Sequence, residues 1–140
     1  MHRVLRCVVV FAVLGTAGCS DSSSTTSPST TTPTTFTETF TGTLGPGSGA
    51  TSHVYTFSVA NPGTVTATLV SITPDTTAVV GLSLGTFSGT TCTDVIADDQ
   101  TTQGVTLTSS LAVAANLCVR VYLVGPLPNL ETYQINAVHP

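Results

Sequence analysis

The chain predicts an all-β protein, an antiparallel β-sandwich of seven or eight strands. Two observations carry this. Apolar residues alternate with threonine and serine from Phe36 onward, and glycine or proline turns recur about every dozen residues. In addition, no stretch after Phe36 keeps the three-and-four apolar spacing of an amphipathic helix, so none is expected there.

The strands can be placed in order. Phe36 and Phe40 open a threonine-rich strand that Gly45-Pro46-Gly47 ends. Tyr55, Phe57 and Val59 share one face of the next, with Thr56 and Ser58 opposite, and His53 falls just before it. Asn61-Pro62-Gly63 is a turn signal, after which Val65, Ala67 and Leu69 alternate with Thr64, Thr66 and Thr68. Thr73-Pro74-Asp75 breaks the chain before Val80, Leu82 and Leu84. Val105 with Leu107 marks another strand, and Leu117, Val119, Val121 and Leu123 a further one. Pro126 and Pro128 precede the last, with Tyr133, Ile135 and Ala137 on one face. Threonine is β-branched and suits the solvent side of such strands, which accounts for its abundance.

Residues 1–35 have a different organisation. Met1-His2-Arg3-Val4-Leu5-Arg6 is a short basic head, residues 7–14 are apolar, and Gly15-Thr16-Ala17-Gly18 supplies small residues before Cys19. Head, apolar run and small-residue site have the anatomy of an export signal. The apolar run falls well short of the roughly 20 residues of a membrane span. The whole resembles a bacterial lipoprotein signal, with Thr16-Ala17-Gly18-Cys19 as its lipobox. That resemblance implies removal of residues 1–18, a diacylglyceryl group on the Cys19 sulfur, and retention at a membrane of the cell envelope, on its periplasmic or surface face. An ordinary secretory signal cut after Ala17 or Gly18 is the alternative, and Thr16 fits that reading. Residues 19–35 form the expected linker: Ser, Thr and Pro dominate and no aliphatic residue is available to bury. The β-domain is expected over 36–140.

Charge excludes some partners. Of three basic residues, Arg3 and Arg6 belong to the signal, which leaves Arg120, no lysine and all seven acids. Charged residues make up 7% of the chain against roughly 25% in an average soluble protein. Nucleic-acid binding needs cations to neutralise phosphate, so that role is not expected. Attraction to anionic lipid is excluded on the same ground, which makes lipid on Cys19 the expected membrane contact.

Candidate chemistry is sparse. With Cys7 in the signal and Cys19 lipidated, Cys92 and Cys118 remain, and two cysteines in an exported domain are expected to form a disulfide. Cys118 points opposite to Leu117 and Val119, so the bridge is expected on the outward face or at a sheet edge. It would tie the loop after Phe87 to the strand of Val119. The acidic segment Asp94-Val95-Ile96-Ala97-Asp98-Asp99 reads as a loop in which Asp94, Asp98 and Asp99 could chelate Ca²⁺, with Asp75 as a further ligand. Against this, the spacing matches no EF-hand, and a solvated turn explains the acids equally. His53 and His139 are the domain's histidines, no serine sits in a Gly-x-Ser-x-Gly elbow, and no phosphate-binding or dinucleotide fingerprint occurs. No catalytic residue is therefore assigned. Tyr122, on one face with Arg120, is expected to be exposed and either meets a sugar or a protein or packs on the sheet surface.

From Phe40 to Val138 the order of features resembles the bacterial pre-peptidase C-terminal domain. The residues concerned are Phe40-Thr41-Gly42-Thr43-Leu44, Val54-Tyr55-Thr56-Phe57-Ser58-Val59, Gly63-Thr64-Val65-Thr66-Ala67-Thr68-Leu69, Leu117-Cys118-Val119-Arg120-Val121-Tyr122 and Tyr133-Gln134-Ile135-Asn136-Ala137. The resemblance implies a jelly-roll-like sandwich without catalytic activity, often appended to secreted proteases, some relatives binding calcium or fibrous substrates. The family's Asp-x-Asp-Leu stretch would fall near residues 78–84, where the acids are missing. No protease segment stands before the domain, so the appended role is not expected. Together these readings predict a lipid-anchored, non-catalytic module with a protein or carbohydrate ligand. The alternatives are a structural envelope protein without a specific ligand and a calcium-binding accessory domain.

Overall fold

Each alternating segment becomes a strand with one apolar face, and a computed structural model describes how residues 34–140 stack these faces. The export signal over 1–18, Cys19 and the linker up to residue 33 lie outside the described residues. Eight strands follow: β1 (Phe36–Leu44), β2 (Ser52–Val59), β3 (Gly63–Thr73), β4 (Val80–Ser88), β5 (Thr91–Thr101), β6 (Thr106–Leu111), β7 (Ala115–Tyr122) and β8 (Glu131–His139). They form two four-stranded antiparallel sheets, ordered β1-β8-β3-β6 and β2-β7-β4-β5. Only β4 and β5 are consecutive neighbours in one sheet, and every other connection passes from sheet to sheet. This is the strand order of an eight-stranded jelly roll, two interlocked Greek keys. The expected sandwich is present, with one strand more than the seven placed above. The acidic segment around Asp94 is not a loop but part of β5.

The core is the sum of the inward faces. Val65, Ala67 and Leu69 of β3 meet Leu82 and Leu84 of β4, Val119 and Val121 of β7, and Ile135 and Ala137 of β8, all buried. Alternation slips once in β3, where a bulge between Leu69 and Ser71 exposes Val70 and returns Ile72 to the core. The extra residue leaves ladder groups unpaired, and the Gln103 side chain accepts from the Ile72 amide there. At one end of the sandwich Glu131 is fully buried, and its Oε2 accepts the Asp75 amide at 3.0 Å, tying the β3–β4 connection to β8.

The edge formed by β1 and β2 is sealed by aromatic rings. Phe40 stacks on Tyr55 at 4.9 Å between centroids, and His139 lies between Phe36 and Phe57 at 5.9 and 5.4 Å. The Tyr55 hydroxyl donates to the Thr41 carbonyl and pairs with the Tyr133 hydroxyl at 2.8 Å. Because Tyr133 is buried and shares this bond, its own hydroxyl titrates well above the usual tyrosine range, desolvation being the larger cause. Gly42 makes the closure possible, since a Cβ there would overlap the hydroxyls of Tyr133 and Tyr55. Gly42→Ala should therefore cost about 1–3 kcal/mol by overpacking, read as a lowered midpoint in chemical denaturation with the β-sheet circular dichroism retained.

Candidate functional site

The outward face of β4 carries Gly81, Ser83 and Gly85, and these small residues determine what happens around them. Outward residues of a central strand ordinarily meet solvent. Here Ser83 and Cys118 are fully buried, because side chains of β7 cross over β4 to reach β5. Three crossings run in parallel. Cys118, beside Gly85, is bonded to Cys92 with a Cα–Cα distance of 5.8 Å. Arg120, beside Ser83, pairs through Nη2 with Oδ2 of Asp94, whose Oδ1 accepts the Ser83 hydroxyl at 2.8 Å. Tyr122, beside Gly81, covers that glycine with its ring and donates its hydroxyl to Asp99. The Arg120 guanidinium lies 4.8 Å from the centre of the Tyr122 ring, a cation–π contact. Burial, and then the bond to Asp99, push the Tyr122 hydroxyl up to about 12.

The disulfide is thus as expected in pairing and face. Its position is corrected in one respect: Cys92 lies within strand β5, the edge strand of its sheet, and not in a loop after Phe87. Tyr122, expected to be exposed, is half-buried as part of this ladder.

Crossing β4 has a consequence on the other side of the sheet. The β5 backbone rises over Gly85, where the Thr93 carbonyl occupies the space a Cβ would need. A bulge sits at this point, with Leu84 facing Ile96 and Gly85 facing Asp94, so that Val95 is extruded and 62% exposed. With the start of β5 drawn outward, Thr86 is exposed although it is on the core-facing side of β4. An apolar slot of about 160 Å³ opens between the β5 and β6 edges, lined by Val65, Leu84, Val95, Leu111 and Leu117, with Ser109 and Ser110 at its rim. Sequence reading missed this site because no residue in it is chemically distinctive. The available signal was the run of small residues at 81, 83 and 85, alternating with Val80, Leu82 and Leu84.

The remaining candidates are engaged separately. Asp98 Oδ1 accepts the Gln100 amide at 2.8 Å, while Asp94 and Asp99 serve the ladder. The Asp75 carboxylate accepts the Thr77 side chain and amide at 2.7 and 2.8 Å, and these bonds, the side-chain one first, hold it below the usual carboxylate range. Among the described residues, no three His, Cys, Asp or Glu side chains come together as a metal-binding group. His53, which lies inside β2 and not before it, places Nε2 3.0 Å from the Thr43 carbonyl. His139 is buried between aromatic rings, its Nδ1 3.1 Å from the Pro140 carbonyl.

The ladder generates two predictions. Cys92→Ser with Cys118→Ser should destabilise the domain by about 3.5 kcal/mol, from the chain-entropy cost of a 26-residue separation, measured by denaturant titration of both forms. Alkaline conditions should act through Tyr122. Its folded pKa exceeds the unfolded value of about 10, so the bonded hydroxyl contributes fully below that value and is lost as pH rises toward about 12. An ultraviolet titration should show one tyrosine ionising near the upper end of this window, absent in Tyr122→Phe.

No protein-family model matches the chain, and no curated protein matches it.

Proposed function

We propose that this chain is a lipid-anchored, non-catalytic display protein of a bacterial envelope, in which the β-sandwich is a binding module. Cys19 is the anchor, the Ser/Thr/Pro stretch is the spacer, and the open edge between β5 and β6 is the contact surface. One observation carries the reading: the sandwich is closed by aromatic rings at β1 and β2 but opens an apolar slot at β5 and β6. A slot of this kind, with unpaired sheet edges beside it, suits a ligand that supplies an apolar group and backbone hydrogen bonds. The histidines support a role without chemistry, since His53 is bonded to a main-chain carbonyl and His139 is stacked within the aromatic seam. The likeness to the pre-peptidase C-terminal domain points the same way and rests on the motifs quoted above.

The jelly-roll order places β1 and β6 at opposite edges of their sheet. Stable retention takes two or more acyl chains, which a lipidated cysteine provides. Mass spectrometry of the mature N-terminus should find an acylated Cys19, and Cys19→Ser should move the protein from the membrane to the soluble fraction. A glycan array and a set of envelope proteins should yield at least one saturable ligand. No saturable ligand on either would leave a purely structural role.

A further inference from the structure

We infer that the open β5–β6 edge takes an extended basic peptide, one apolar side chain of which enters the slot while cationic neighbours face Asp98 and Asp99. This rests on the reading of the domain as a binding module and names the class of its ligand.

Three features select that class. The first is the slot, lined by Val65, Leu84, Val95, Leu111 and Leu117. Its volume of about 160 Å³ resembles that of a cavity able to hold a benzene-sized group, so one leucine or phenylalanine side chain fits and a sugar ring would leave hydroxyls unpaired. The second is the backbone on either side. Among the described residues β6 pairs only with β3 and β5 only with β4, so each offers a row of amide and carbonyl groups unpaired there that an extended chain can meet. β6 reads Thr106-Leu107-Thr108-Ser109-Ser110-Leu111, without the charge or proline that usually guards an edge.

The third is charge. Asp98 and Asp99 lie three and four residues beyond Val95, about 10–13 Å along the strand. Arg120, the one cation among the described residues, is committed to Asp94, so these two carboxylates have no cationic partner there. A lysine or arginine three or four residues from the apolar anchor reaches them in an extended peptide. A second copy of this chain offering its own β5 edge is disfavoured as the occupant, because it would bring the same acids against these, and one offering its β6 edge brings no cation to meet them.

The test is fluorescence anisotropy with the full-length lipidated protein in neutral detergent and a labelled peptide of alternating lysine and valine centred on one leucine. Binding should be saturable, weaken with added salt, and fall about two- to fivefold in each of Asp98→Asn and Asp99→Asn. Ser109→Phe, which fills the slot from its rim, should reduce binding by about tenfold or more, the contribution of one buried apolar side chain. Should that variant fold poorly, a peptide with serine replacing the leucine tests the same contact on the unaltered protein. A peptide with glutamate replacing lysine binding equally well would overturn the inference, as would equal binding of the serine peptide or no saturable binding of the lysine peptide. If the lysine peptide fails while a glycan binds saturably, this inference falls and the binding-module reading stands. If neither binds and no envelope protein does, both fall.

Discussion

The absence of side-chain bulk on the outward face of β4 is the constraint from which the rest of the molecule follows. Gly81, Ser83 and Gly85 leave room for the Tyr122 ring, the Arg120–Asp94 pair and the Cys92–Cys118 bridge. A threonine at any of these positions, the usual outward residue in this chain, would hold β7 and β5 apart. Small sandwiches bury a limited fraction of their surface and often need a covalent staple. Here the staple crosses a central strand, so it ties three strands of one sheet together. The ion pair beside it is partly exposed and contributes no more than about 1 kcal/mol. The disulfide therefore dominates the ladder energetically, while the polar contacts fix where the side chains lie.

That same crossing makes the two edges of the sandwich unequal. At β1 and β2, rings from both sheets meet, and Gly42 lets the tyrosine hydroxyls pair across the gap. At β5 and β6, the strand that should complete the core wall has been drawn toward the outer face, leaving Leu84 and Leu117 at the floor of a slot. Stability gained on one side of β4 is thus coupled to an opening on the other. Bulges re-aim side chains, and the one between Leu84 and Gly85 extrudes Val95 at the side of the slot.

Seven strands were legible from alternation because their inward residues are aliphatic or aromatic and alternate with residues of another kind, most often threonine or serine. β5 was not, for a physical reason: its outward positions carry Asp94 and Asp99, which complete the ladder, and the bulge that extrudes Val95 interrupts its alternation. Reading those acids as a loop followed directly. The register of the ladder was partly visible. Cys92 precedes Asp94 by two residues, as Cys118 precedes Arg120, so a disulfide between the first pair brings the second pair into contact. The third rung could not be found this way, because β5 breaks register with β4 between Gly85 and Leu84, which turns Ile96 inward, and Tyr122 meets Asp99 instead of the residue two beyond Asp94. The slot was illegible altogether, since it arises from a backbone displacement that no single residue type announces.

Charge placement ties the edge to the chain's composition. Most proteins protect a free strand edge with lysine, but no lysine is present here and the sole domain arginine is held by Asp94. Protection of the β5 edge falls to carboxylates alone, which repel an identical edge as effectively as lysines would. Carboxylates differ from lysines in what they admit: an edge guarded by lysine turns away cationic peptides, whereas one guarded by carboxylates does not. Low overall charge sharpens the effect, because few other ionic groups on the described surface compete with Asp98 and Asp99 for a cation. With so few charges among the described residues, the polar character of the β5–β6 edge is set by Asp98 and Asp99, and the complement that the proposed reading assigns to it is a positively charged one.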